Sequence, residues 1–133
     1  MAANTTPVFT DTPHINTVLV NTANASRDGT NSITDVITGT TDGTRVDRIV
    51  IKAGVTTTNG MIRLYIYNGS ATMLWDEVFV PAITASNTAP TFKATIQSPD
   101  LVSPLIVLAS GQKIQVSTVQ NEVFYITAHG SDY

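Results

Sequence analysis

Short apolar runs recur along the chain, separated by clusters of Gly, Asn, Asp, Pro and Thr, and no segment sustains apolar residues at helical spacing. The period is two. In residues 45–53, Ile49, Ile51 and Ala53 point one way and Arg48, Val50 and Lys52 the other, which predicts a strand with one face buried. In residues 61–67, Ile62, Leu64 and Ile66 share a face, and Met61, Arg63, Tyr65 and Tyr67 share the opposite one. Asn68-Gly69 follows as a hairpin turn, because both residues tolerate positive φ. Residues 72–80 form the next predicted strand, stopped by Pro81, with Asp76 breaking the parity of Leu74, Val78 and Val80 and so predicting a bulge there.

The same reading places further strands at residues 14–20, 32–38, 91–97, 101–108, 112–119 and 123–129. Phe92, Ala94 and Ile96 turn inward, as do Ile114, Val116 and Thr118, then Phe124, Ile126 and Ala128. Pro104 marks residues 101–108 as an edge strand or one preceded by a kink. Residues 1–13 are polar apart from Val8 and Phe9, and Pro7 and Pro13 favour an extended backbone. The expectation is an extended N-terminal arm (1–13) and a single domain (14–133), an all-β antiparallel sandwich of eight to nine strands, jelly-roll-like. An immunoglobulin-like sandwich is the runner-up, without the Cys…Trp…Cys signature.

Composition agrees. Thr, Val and Ile number 22, 14 and 12 of 133 residues, whereas Leu is 6 and Glu 2. Branched side chains fit a pleated surface and lose rotamer freedom in helices. Cysteine is absent, which excludes disulfides, thiol nucleophiles and zinc–thiolate sites. Charged residues are 13% and the net charge is −3; seven Lys and Arg scattered singly argue against a nucleic-acid partner. No apolar run is long enough to span a bilayer as a helix, and the first residues lack the basic and apolar regions of a secretory signal.

Candidate chemistry is sparse. His14 and His129 lie at opposite ends of the domain in sequence and must meet in space to form a site. The aspartates are isolated, several beside Gly where they cap turns, and Asp76-Glu77 face opposite sides of one strand. No phosphate loop, nucleophile elbow, metal set or paired carboxylates point to an enzyme, and no cofactor is called for. The aromatic residues have two readings. Met61, Tyr65, Tyr67 and Trp75, with Tyr125 as a further candidate, form a subunit interface or sugar-stacking face, or Trp75 caps the core and the tyrosines are half-buried with wet hydroxyls. Val8 and Phe9 are the candidate docking anchor of the arm.

The opening MAANTTPVF, TRVDRI at 44–49, RLYIYNG at 63–69, LASGQKIQV at 108–116 and the closing GSDY together resemble small tailed-bacteriophage structural proteins, over nearly the whole chain. The resemblance implies a virion protein made in the host cytoplasm. Its expected place is the capsid surface, as a decoration or cement protein bound to the major capsid protein, commonly as a homotrimer. A carbohydrate- or receptor-binding module of a phage fibre or tail, with a surface glycan as ligand, is the alternative.

Overall fold

The computed structural model describes residues 8–133. The described residues form nine strands and no helix: β1 Thr12–Val20, β2 Thr34–Thr38, β3 Thr44–Ala53, β4 Gly60–Tyr67, β5 Thr72–Val80, β6 Lys93–Gln97, β7 Ile106–Leu108, β8 Lys113–Thr118 and β9 Phe124–Asp132. One sheet runs β1-β9-β3-β6, with β7 also paired to β3; the other runs β2-β8-β4-β5. Every strand pair is antiparallel. With the short β7 set aside, the two sheet orders are those of a jelly roll, two Greek keys folded face to face, the chain crossing between sheets at every connection but that of β4 to β5.

The period-two pattern decides what fills the space between the sheets. Ile49, Ile51 and Ala53 of β3, Ile62 and Leu64 of β4, Ile114 and Val116 of β8, and Phe124, Ile126 and Ala128 of β9 are all buried there. Phe92, Ala94 and Ile96 pack against the same core as expected. The bulge foreseen near Asp76 falls one residue earlier. Leu64 pairs with Asp76 and Tyr65 with Leu74, so Trp75 is the extra residue. It leans back onto the core.

Several boundaries differ from expectation, two of them with consequences for the surface. β1 begins at Thr12 and includes Pro13, which an edge strand tolerates because its missing amide faces no partner. Thr12 and Pro13, expected in the arm over residues 1–13, belong to this strand, and residues 1–7 of that arm lie outside the described residues. The strand expected over residues 101–108 shrinks to Ile106–Leu108. Asp100 is the reason: its carboxylate accepts from the Val102 and Ser103 amides and from the Ser98 and Ser103 hydroxyls, curling the chain into a turn. Those bonds hold its carboxyl far below the ordinary range, the Ser103 hydroxyl contributing most. Leu101 adopts φ 60° in that turn, which costs a leucine strain, and the turn holds Leu101 and Val102 in solvent.

Candidate functional site

The outward side of β4 carries the candidates Met61, Tyr65 and Tyr67, with Trp75 on neighbouring β5. The expected face does not form. Tyr65 is completely buried and Arg63 nearly so. The β1–β2 loop lies over them. Asn24 anchors it: the backbone amide donates to Thr118 O at 2.8 Å, and the side-chain amide donates to Thr30 O at 2.8 Å and Ser32 O at 3.0 Å. Tyr65 then donates its hydroxyl to Ser26 O at 3.0 Å and shares a bond with the Ser117 hydroxyl at 3.1 Å. Arg63 donates to Asn24 O and Ser26 O from one nitrogen and to Glu77 from another, at 2.9 Å. Glu77 also accepts from Arg27 at 2.6 Å, and first Arg27, then Arg63, hold its carboxyl below the usual range. What pattern reading takes as a surface awaiting a partner is covered by the chain's own loop.

The other three candidates are dispersed. Tyr67 is half-buried, its hydroxyl on Gly69 O and its ring 5.6 Å from the Lys113 ammonium. Met61 is half-buried opposite Phe79. Trp75 caps the core, the plainer of its two readings. Lys113 reaches Asp35 at 2.9 Å; the bond from Gln115, then that from Lys113, lowers the Asp35 carboxyl.

The histidines do come to adjacent strands, since His14 pairs with Gly130 and Ile15 with His129. Alternation separates them. His14 turns toward Asp132, at 2.8 Å, which also accepts from the Thr44 hydroxyl at 2.7 Å. Burial opposes the charge on Asp132, yet the bonds from Thr44 and His14 outweigh it and keep the carboxyl below its ordinary value. His129 lies on the other face, opposite Ile15 and Arg48. No group of three or more His, Asp or Glu suited to a metal exists among the described residues.

On the β2-β8-β4-β5 sheet, Met73, Leu74 and Phe79 of β5 are exposed. Another open surface is the outer face of the β1-β9-β3-β6 sheet. Its register stacks Leu19, Tyr125, Lys52 and Lys93 in one row, Thr17, Thr127, Val50 and Thr95 in the next, and Ile15, His129, Arg48 and Gln97 in a third. Ile15 is 61% exposed, Leu19 46% and Tyr125 43%. Sequence reading singled out Tyr125 but missed Ile15 and Leu19, because an isolated apolar residue on a strand looks the same whether it faces core or solvent. Asp11 extends the ladder beyond β1 by donating to Asp132 O at 2.7 Å, and beyond it Phe9 is 80% exposed and Val8 57%. A bulge at Asp47 then brings Arg45 and Arg48 to one groove of about 300 Å3, with Gln97 and Ser98 on its far wall. Arg45 holds Asp47 at 2.8 Å.

No family model matches the chain, and no curated protein matches it. Among solved structures, a chain from the crystal structure of the T13 IBDV viral particle is similar at 13% identity and a TM-score of 0.30, covering 97% of this chain and 35% of that one. This chain therefore spans about a third of that chain's length.

Proposed function

We propose that the chain is a non-enzymatic structural component of a bacteriophage virion, a decoration or cement module that binds the outer capsid surface and stabilises the shell. The observation that carries the reading is the set of solvent-facing apolar side chains on otherwise well-packed strands: Ile15, Leu19 and Tyr125 on one sheet face, with Val8 and Phe9 leading away from its edge strand. Apolar surface gathered in this way favours contact with another protein. The jelly roll, two sheets packed around one core, suits a durable module of this size, and the phage assignment rests on the sequence resemblance. The partner in this reading is the major capsid protein. A homotrimer is part of the reading, although Tyr65 gives it no support, since the β1–β2 loop occupies that face.

Electron microscopy of purified particles tests the proposal. Density for this domain in many copies on the capsid exterior is the expected result. Density at a fibre tip or tail, together with glycan-array binding, favours the carbohydrate- or receptor-binding reading, for which exposed Tyr125 is an aromatic platform. Absence from particles refutes both.

A further inference from the structure

Four of the chain's seven Lys and Arg residues lie in the strands of one sheet: Arg45 and Arg48 and Lys52 in β3 and Lys93 in β6. The same five strands contain two carboxylates. Asp47 is held by Arg45, and Asp132 turns inward to His14 and Thr44. Arg48, Lys52 and Lys93 therefore have no acidic partner among the described residues, whereas Arg27 and Arg63 share Glu77 and Lys113 has Asp35. Lys52 and Lys93 are direct cross-strand partners. Like charges placed opposite each other on one face are destabilising, with Cβ atoms about 5 Å apart. Lys52 relieves this only in part, by donating to Thr91 O at 3.1 Å. Arg48 stands two outward positions along β3, beside Gln97 and His129.

We infer that this face docks an acidic protein segment, whose carboxylates neutralise Arg48, Lys52 and Lys93 while its apolar side chains cover Leu19, Ile15 and Tyr125. The inference names the partner chemistry for the assembly reading above and rests on it. Charge complementarity selects the occupant: in a protein of net charge −3, this face is cationic. A nucleic acid fits less well. A duplex-backbone site of roughly six to ten phosphate contacts is out of reach of three unpaired cations beside Ile15 and Leu19. Exposed apolar side chains toward one edge with cations across the sheet supply both kinds of contact that a protein interface uses.

The test is an NMR titration of the protein with a decaglutamate peptide, which needs no particle and so fails or succeeds independently of where the protein sits in a virion. At about 20 mM salt, where screening is weak, amide shifts should centre on Arg48, Lys52, Lys93 and Tyr125, and they should fade by about 300 mM. The double variant K52Q/K93Q should bind at least about fivefold more weakly. T22E/A25E, which makes the same change of net charge on exposed residues of the β1–β2 loop, should stay within about twofold. The inference is overturned if the peptide causes no shifts, if the shifts centre on another face, if the two variants lose affinity equally, or if a dT10 oligonucleotide binds this face more tightly than the peptide.

Discussion

Replacing Tyr65 with phenylalanine separates the two roles that a tyrosine on β4 can have. The ring keeps its burial, so the packing is unchanged and the perturbation is the hydroxyl alone. That hydroxyl makes two bonds, to Ser26 O at 3.0 Å and to the Ser117 hydroxyl at 3.1 Å. A net hydrogen bond contributes roughly 0.5–1.5 kcal/mol, and a buried partner left unsatisfied costs more. Ser117 is fully buried. The expected loss is thus about 1–3 kcal/mol. With a urea m-value near 2 kcal/mol/M, typical of a domain this size, the midpoint should fall by about 0.5–1.5 M at constant m. Sedimentation should be unchanged, because the hydroxyl meets the chain's own loop and no other molecule. A double-mutant cycle with Ser117→Ala should show a coupling of about 0.5–1 kcal/mol. A midpoint shift under about 0.2 M, or native stability with an altered sedimentation mass, refutes the burial of this face and restores it as an interface.

Asn24→Ala removes three bonds that anchor the β1–β2 loop, to Thr30 O, Ser32 O and the Ser26 amide, and should cost about 2–4 kcal/mol with faster amide exchange across residues 22–33. Gly130→Ala sets a methyl against the carbonyl oxygen of Arg45 in the neighbouring strand, and should destabilise by about 2–4 kcal/mol in thermal unfolding, whereas Gly69→Ala meets no neighbouring atom and acts only through its φ of +104°. Asp132 titrates below its unfolded value, so its contribution is present above roughly pH 4 and is lost as pH falls through the folded pKa; Asp132→Asn should flatten the acid limb of stability against pH. Phe9→Ala should leave the unfolding midpoint within experimental scatter, since the side chain is 80% exposed, while weakening attachment to particles stripped of the protein; equal attachment shows that the arm carries no docking role.

The strand set was legible in the sequence because a two-residue period and a surplus of Thr, Val and Ile are local properties. Ile49, Ile51, Ile114 and Phe124 could be assigned inward from their neighbours alone, and Asp76 betrayed a bulge by breaking parity. Parity cannot say what lies above an outward face. Arg63 and Tyr65 share a side that alternation labels solvent, yet a loop some forty residues earlier folds over them, pinned by Asn24, and only the sandwich brings that loop there. Register is equally hidden. Arg48, Lys52 and Lys93 read as scattered charges along the chain; pairing of β3 with β6 sets them on one face, and pairing of β1 with β9 places Ile15, Leu19 and Tyr125 beside them. The sequence alone determined which residues alternate. Which of them meet was decided by long-range antiparallel pairing, whose partners lie up to 120 positions apart, as Thr12 and Asp132 do.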